Sequence, residues 1–200
     1  MTLLGNLKQL LKQESLDELP DETLMKKFVN GSSYSYELIE KRYKHRVFEF
    51  IYFQFRQHKQ DAEDLTQEVF IQLYRNPNNF QEESKFSSYI FAIAKNTAFN
   101  HYRTMSRRIQ SHQDDDNLDI MDNTCIHVQM VNDRQQQEYI NAFNQLSIDE
   151  QQIIFLADKE CFSYLQLGEI LNIKTGTVRS RLSSARAKIA NQLRERLDEM

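Results

Sequence analysis

The stretch YLQLGEILNIKTGTVRSRLSSARAK, residues 164–188, decides the fold of the carboxyl-terminal part of this chain. Its pattern predicts two helices joined by a tight turn. In the second helix, apolar residues recur at steps of three and four and form one stripe: Val178, Leu182, Ala185, Ile189 and Leu193. The opposite side carries small side chains: Ser180, Ser183, Ser184 and Ala187. Such a helix-turn-helix is typical of proteins that insert a helix into the major groove of DNA.

Basic residues flank this second helix. Arg179 and Arg186 line one flank, and Arg181 and Lys188 line the other. Guanidinium groups in these positions can reach DNA phosphates or the O6 and N7 atoms of guanine. The alternative is a solvated amphipathic helix that ends a helical bundle. The small residues, the arginines and the TGTVRSRL turn together favour DNA binding.

Threonine and glycine residues shape the connection between the two helices. We expect Thr175 or Thr177 to cap the start of the second helix, where backbone N–H groups also favour a phosphate. Gly176 is expected to give the backbone more conformational freedom at the start of this helix. Gly168, in the first helix, is expected to allow a close helix crossing.

The composition predicts an all-α fold. The chain has 200 residues with 4 Gly and 2 Pro, and its sequence shows no strand-like alternation. A net charge of −4 does not favour DNA binding, so any basic surface must be local. Residues 174–196 meet this condition, because Glu195 is the only acid among them. A second basic cluster contains Lys95, Arg103, Arg107 and Arg108, whereas acid is concentrated at 61–68 and 114–122.

Several classes of protein are not expected from this sequence. The start, MTLLGNLKQLLKQ, lacks the apolar core of a signal peptide, and no run approaches membrane-spanning length. Cys125 and Cys161 are too few for a disulfide framework, which predicts a reduced, cytoplasmic location. Cys125, His127 and His112 do not have the spacing of a structural zinc site. Without a catalytic triad, metal spacing or phosphate loop, we expect no enzyme and no cofactor.

The chain is predicted to contain two helical domains joined by a flexible acidic linker. The boundaries follow changes in composition and periodicity: an extension at 1–20, a helical domain at 21–108, a linker at 109–136 and a second helical domain at 137–200. In the second domain, Ser147 and Glu150 have the spacing of a capping box at a helix start.

An acidic helix is predicted at DAEDLTQEVFIQLYRN, residues 61–76. Its apolar stripe contains Leu65, Val69 and Leu73, and Phe70 is expected among the more outward apolar positions. The exposed sides carry Asp61, Asp64, Gln67, Glu68 and Gln72. An acidic surface with an aromatic residue suits a basic protein partner. Periodicity alone slightly favours the alternative, a solvated face with acid near the helix amino terminus.

A second informative helix is FSSYIFAIAKNTAFNHYRTMSRR, residues 86–108. One side carries Phe86, Ile90, Ile93 and Thr97. Another side carries a polar stripe with aromatic residues beside it: Asn96, Asn100, Arg103 and Arg107, and Lys95, Phe99, Tyr102 and Ser106. Aromatic rings, amides and arginines on one helix suit an unstacked single strand of nucleic acid. The alternative places Phe99 and Tyr102 in the core, and the sequence leaves this open.

Three blocks in order give the chain its resemblance to a known family. These are the two helices above and LSIDEQQIIFLADKECFSYLQLGEILNIKTGTVRSRL, residues 146–182. Over about 21–193 the chain closely resembles the extracytoplasmic-function (ECF) group of bacterial sigma factors. The resemblance implies a protein that binds core RNA polymerase, directs it to promoters and helps melt the −10 element.

The resemblance also implies roles for particular residues. The clamp helices of the largest polymerase subunit would contact Asp61, Asp64, Leu65, Gln67, Glu68 and Phe70. Single-stranded −10 DNA would be bound by the loop at 81–87 and by Lys85, Lys95, Asn96, Asn100, Arg103, Arg107 and Arg108, with Asn96 helping to form a pocket for a flipped base. Duplex −35 DNA would be bound by Lys174, Thr175, Thr177, Arg179, Ser180, Arg181, Ser183, Ser184, Arg186 and Lys188. Acid at 114–122 is compatible with a linker that imitates nucleic acid on the RNA path. No catalysis or metal is implied.

The sequence departs from the family pattern at three positions. Tyr89 stands where Trp is usual, Lys174 where Pro is common and Gly168 where Ala is common. A cognate anti-sigma factor is common in the family, but no residue here identifies one.

Two alternatives of other classes remain open at this point. One is an adaptor that recruits polymerase to a site chosen by another DNA-bound protein, for which Tyr89 and the extra amino-terminal residues leave room. The other is a plain helix-turn-helix regulator, which would bind duplex DNA without polymerase.

Overall fold

The computed structural model describes residues 16–55, 59–81, 83–111 and 134–198. Residues 1–15 of the predicted extension and 112–133 of the predicted linker lie outside the described residues, and with them 114–122, His112, Cys125 and His127.

The described chain is helical throughout its regular elements, which confirms the all-α prediction. The first group of elements is α1 (Asp21–Val29), α2 (Ser33–Phe55), α3 (Lys59–Arg75), a 3₁₀ turn (Pro77–Asn79) and α4 (Phe86–Ser111). The second group is α5 (Arg134–Asn144), α6 (Ile148–Ile154), a π-helical turn (Phe155–Lys159), α7 (Tyr164–Leu171) and α8 (Thr175–Asp198). The described residues form two compact units: one contains residues up to 52 and 59–97, and the other contains 53–55 and those from 98 onward.

The first unit has a core of large apolar side chains from all four of its helices: Leu24, Met25, Phe50, Val69, Leu73, Phe86 and Phe91. Two carboxylates at the start of α1 fix neighbouring helices. Asp21 accepts hydrogen bonds from Arg42 and Tyr43, both at 2.5 Å. Glu22 accepts one from the backbone N–H of Phe86 at 3.3 Å, and so holds the beginning of α4.

The second unit contains the helix-turn-helix, and capping boxes begin two of its short helices. Ser147 and Glu150 form the predicted box at the start of α6. Ser163 and Gln166 form a second box, which was not predicted, at the start of α7. Each box satisfies backbone N–H groups that a short helix leaves without partners. Both helices therefore begin at defined residues.

The turn between α7 and α8 depends on close backbone packing at one glycine. Asn172 ends α7 in the left-handed conformation, with φ of 55°. Ile173 N–H then donates to the Gly168 carbonyl at 3.0 Å. A Cβ atom at Gly168 would lie 2.9 Å from the Ile173 carbonyl oxygen, closer than side chains normally approach. The prediction for Gly168 was a close helix crossing, and the atom that it approaches closely is instead a carbonyl oxygen of the turn.

No helix within the described ranges is long and apolar enough to cross a membrane. The same part of the chain contains no group of three or more His, Cys, Asp or Glu side chains placed to hold a metal ion.

Candidate nucleic-acid and protein interfaces

The exposed face of α8 has the predicted pattern. Val178, Leu182, Ala185 and Ile189 are buried, and Leu193 is half-buried. The small residues on the other side are all exposed: Ser180, Ser183, Ser184 and Ala187. Because no bulky side chain projects from this face, a flat or grooved surface can approach the helix backbone. The face is thus suited to the major groove.

The start of α8 differs from the prediction. The helix begins at Thr175, and the Lys174 carbonyl accepts the hydrogen bond from Val178 N–H at 3.0 Å. Lys174 therefore occupies the capping position, while Thr175 and Thr177 lie inside the first turn. The prediction of a threonine cap was wrong, because the turn ends one residue earlier than the Thr-Gly-Thr pattern indicated. Lys174 and Thr175 are exposed, and Thr177 is half-buried.

Three of the four flanking cations of α8 form ion pairs within their own unit. Arg186 binds Asp158, and this hydrogen bond raises the pKa of the Arg186 guanidinium. Lys188 Nζ lies 2.6 Å from Glu150 Oε1. Arg181 lies 3.7 Å from Asp149. These residues are exposed, but part of their charge is balanced by carboxylates that precede the helix-turn-helix.

The surroundings of Glu150 favour the ionised form of its carboxyl. The hydrogen bond from Lys188 lowers the pKa of its carboxyl, and hydrogen bonds from Ser147 add to this effect. Since Ser147 and Glu150 also form the capping box, the same carboxylate both begins α6 and holds α8.

Arg179 has a different environment from the other three cations. Its guanidinium carbon lies 5.8 Å from the centre of the Tyr164 ring, at the start of α7. No carboxylate among the described residues forms an ion pair with it. Arg179 therefore lies against an aromatic face, and no acid in the described part of the chain balances its charge.

The polar face of α4 is exposed where its side chains are described. Asn96, Asn100 and Arg103 are exposed, and Lys95 is half-buried. Phe99 is 52% exposed and Tyr102 is 46% exposed. Both aromatic side chains thus lie outside the core, which resolves the alternative that the sequence left open. The side chains of Arg107 and Arg108 lie outside the described residues.

The inner side of α4 is mostly as predicted. Phe86, Ile90 and Thr97 are buried, whereas Ile93 is only half-buried. The Thr97 hydroxyl accepts a hydrogen bond from Gln72 of α3 at 3.2 Å. This bond connects the acidic helix to the middle of α4.

The segment before α4 is anchored by α1 and by aromatic packing. Lys85 is exposed, and its ammonium lies 3.8 Å from Glu22. Tyr89 is half-buried against Phe80 and Phe86, with ring centres 5.4 and 6.4 Å apart, and burial raises the pKa of Tyr89. Tyr89 therefore has a packing role here in the place where Trp is usual.

The exposed face of α3 carries the predicted acid but a different apolar residue. Asp64, Gln67 and Glu68 are exposed, and Asp61 is half-buried. Leu65, Val69 and Leu73 are buried, as expected. Phe70 is only 3% exposed, so the prediction that it faces outward was wrong. The buried stripe is wider than three residues, because Ala62 and Thr66 are also buried, and Phe70 lies at its edge.

Ile71 and Tyr74 are the exposed large apolar residues of α3, at 39% and 58%. Neither residue is among the predicted polymerase contacts. The spacing does indicate that Ile71 is exposed. It follows Gln67 by four residues and Asp64 by seven, which places all three on one side of the helix. The Tyr74 ring also contacts Tyr36, with ring centres 5.1 Å apart.

Comparison with known proteins identifies the family of this chain. The family described as Sigma-70 region 2 matches residues 41–108, and that described as Sigma-70, region 4 matches 136–189. RNA polymerase sigma factor HrpL of Pseudomonas syringae pv. syringae is 33% identical over 135 residues, which cover 66% of this chain and 73% of that protein. The ECF RNA polymerase sigma-E factor of Haemophilus influenzae is 28% identical over 185 residues, which cover 88% of this chain and 97% of that protein. The chain belongs to the ECF group of RNA polymerase sigma factors.

Solved structures share the fold of this sigma factor. The sigma factor RpoE of Bartonella quintana, solved in complex with the anti-sigma factor NepR, has a TM-score of 0.67 at 23% identity, and the match covers 79% of this chain and 96% of that one. CnrH, solved with the cytosolic domain of CnrY, has a TM-score of 0.64 at 16% identity, with 88% and 97% covered. This sigma factor directs RNA polymerase to promoters.

Proposed function

We propose that this sigma factor binds core RNA polymerase through α3, single-stranded −10 DNA through α4 and duplex −35 DNA through α8. One observation supports this division most directly. Exposed carboxylates lie on α3, exposed aromatic and amide groups lie on α4, and a small-residue face flanked by cations lies on α8. Each helix therefore has the chemistry of a different partner.

The proposed polymerase surface consists of Asp61, Asp64, Gln67, Glu68, Ile71 and Tyr74. Carboxylates repel DNA and attract a basic protein surface. An apolar residue inside a polar rim is the usual arrangement of an interface that binds tightly. The proposed partner is the pair of clamp helices in the largest subunit. Leu65 and Phe70 are buried and would not contact the partner, but their packing holds in place the helix that carries the surface.

The proposed −10 surface combines stacking groups with cations. Phe99 and Tyr102 offer rings to unstacked bases, and the amides of Asn96 and Asn100 can read base edges. The remaining cations would neutralise phosphates: Lys85, Lys95, Arg103, Arg107 and Arg108. This arrangement favours a melted strand over a duplex, because rings can stack only on bases that have left the helix.

The proposed −35 surface is the small-residue face of α8 and its flanks. Serine hydroxyls on the face are short enough to meet base edges, and the flanking cations can reach the two phosphate backbones. The full set of proposed contacts is Lys174, Thr175, Thr177, Arg179, Ser180, Arg181, Ser183, Ser184, Arg186 and Lys188.

The domain assignment that accompanies this function has four parts: an extension at 1–20, the polymerase and −10 domain at 21–108, a linker at 109–136 and the −35 domain at 137–200. The protein would act in the cytoplasm and would have no enzymatic activity of its own. The solved relative from Bartonella quintana binds an anti-sigma factor. A protein of that class is the proposed regulator here.

Reconstituted transcription tests the proposal. Purified chain and core polymerase are mixed on a library of random promoter sequences, and templates that yield run-off RNA are sequenced. The expected result is enrichment of two sequence blocks with no other protein present. Strict dependence on a further DNA-bound factor would favour the adaptor interpretation, and duplex binding without core binding would favour a plain regulator.

A further inference from the structure

We propose that Tyr164 positions Arg179 to read a guanine in the −35 duplex, so that Arg179 sets base preference there. The inference rests on the proposed function of α8. Of the four flanking cations of α8, Arg179 would carry the sequence information, and Tyr164, which lies outside α8, would make this possible.

The four cations differ in the partner that each has in the folded protein. Arg181, Arg186 and Lys188 each have a carboxylate partner on α6 or on the π-helical turn. A carboxylate balances the positive charge and accepts the same N–H groups that a base or phosphate would accept. DNA must therefore displace or share these partners.

Arg179 is held in a way that leaves its donors available. An aromatic face attracts the flat side of a guanidinium, and the N–H groups around its edge remain directed outward. The Tyr164 ring lies 5.8 Å from the Arg179 guanidinium carbon. Both residues are exposed, and Tyr164 retains 42% of its surface. This geometry restricts the arginine without neutralising it.

Restriction matters because an arginine that reads guanine must present two N–H groups in one plane. Bidentate contact with O6 and N7 is the commonest specific arginine contact in the major groove. A long side chain that is free in solution loses rotamer freedom when it binds, and a side chain already held loses less. Tyr164 is thus a positioning residue, which acts through Arg179.

The position of Tyr164 is itself fixed by the fold. It is the first residue of α7, directly after Ser163, whose capping box with Gln166 begins that helix. Gly168 then allows the tight turn that brings α8 back along α7. The distance between Tyr164 and Arg179 is therefore set by the helix-turn-helix itself.

The test uses holoenzyme made from core polymerase and the full chain, with a library randomised across the −35 region. Wild type is expected to prefer guanine at one position. Arg179→Ala should reduce that preference about 5- to 150-fold. Tyr164→Leu should reduce it about two- to fivefold at the same position alone. Tyr164→Phe, which keeps the ring, should retain it.

Further controls separate base reading from phosphate contact and from a loss of folding. Lys188→Gln should lower affinity equally for all sequences, since its contact is to phosphate. Core binding and the melting temperature of each Tyr164 variant are measured in parallel, and Tyr164→Gln provides a second ring-free variant if Tyr164→Leu fails to fold.

Three results would overturn the inference. If Tyr164→Phe loses the preference, the hydroxyl contacts DNA and the ring does not position Arg179. If Tyr164→Leu and Tyr164→Gln leave the preference unchanged while Arg179→Ala removes it, Arg179 needs no positioning. If wild-type holoenzyme has no preference at any −35 position, the proposed function of α8 fails together with the inference.

Discussion

Lys188 of α8 forms an ion pair with Glu150 in the first turn of α6, with 2.6 Å between Nζ and Oε1. The folded protein lowers the pKa of this carboxyl, mainly through the hydrogen bond from Lys188. Stabilisation from the pair is therefore fully present above the pKa of glutamate in the unfolded chain, about 4.3. It is lost as the pH falls through the lowered pKa of the folded state.

The first prediction is that Lys188→Gln reduces the free energy of unfolding at pH 7 by about 0.5 kcal/mol, the usual size for a partly exposed pair. The deficit should shrink as the pH falls below about 4.3, the pKa of glutamate in the unfolded chain, and should vanish below the lowered pKa of the folded state, where the carboxyl is protonated in both states. Urea unfolding at a series of pH values measures this. Lys174→Gln, at an exposed lysine without an ion pair in the described residues, is the control and should show no such pH dependence.

The second prediction concerns two glycines with opposite surroundings. Gly168→Ala should destabilise the protein by about 1–2 kcal/mol, because its Cβ would meet the Ile173 carbonyl at 2.9 Å. Gly176→Ala should stabilise it by about 0.5–1 kcal/mol, since nothing lies within 4 Å and alanine favours the helix. Thermal unfolding of both variants measures the difference. Equal shifts in the same direction would contradict the close approach at Gly168.

The third prediction separates Phe70 from its exposed neighbour Ile71. Phe70→Ala should cost about 3–5 kcal/mol of stability, as for a buried phenylalanine in a packed core. Ile71→Ser should leave stability nearly unchanged and should weaken binding to core polymerase. Denaturant unfolding and a core-binding titration on the same samples distinguish the two effects. A stable Phe70→Ala variant with weakened core binding would restore the outward position that the sequence indicated.

The fourth prediction tests charge on α3. Asp64→Arg and Glu68→Arg should each weaken binding to core polymerase at least tenfold, because a reversed charge meets a basic partner surface. Glu37→Arg makes the same charge change on an exposed position of α2 and serves as the control. Fluorescence titration of labelled chain with core enzyme measures the affinities. Similar losses for all three variants would indicate a net-charge effect and no defined surface.

The fifth prediction concerns single-strand reading by α4. Phe99→Ala should weaken holoenzyme binding to single-stranded −10 DNA by about 1–3 kcal/mol, the usual range for a base-stacking residue. Asn96→Ala should weaken it by about 0.5–1.5 kcal/mol, the usual net contribution of one hydrogen bond. Core binding should not change. Open-complex formation is also measured on duplex promoter DNA and on a template with an already unpaired −10 region, which keeps the reading step and removes the melting step. If the defect disappears on that template, these residues act in melting alone.

The sequence predicted those features that depend on one helix at a time. The stripe of α8, the acid of α3 and the Ser147–Glu150 box follow from spacing within a single segment, and all three are present. The Ser163–Gln166 box has the same spacing signal and was overlooked.

Features that depend on packing between segments were not accessible in the same way. Whether Phe70 is buried depends on the width of the buried face of α3. The three apolar positions used for the prediction gave a face that is too narrow. The partner of Arg186 is Asp158, which is 28 residues away, so no local pattern relates them. The contact of Arg179 with Tyr164 likewise depends on the turn between two helices.

Mapping transcript 5′ ends tests most directly whether this chain joins polymerase to promoters through separate surfaces. The measurement uses core RNA polymerase, genomic DNA and the purified chain as the only sigma factor. We expect starts that share two upstream sequence blocks at a constant separation, one for each DNA-binding helix. Starts with no shared block, or the same starts as core enzyme alone, would contradict the account.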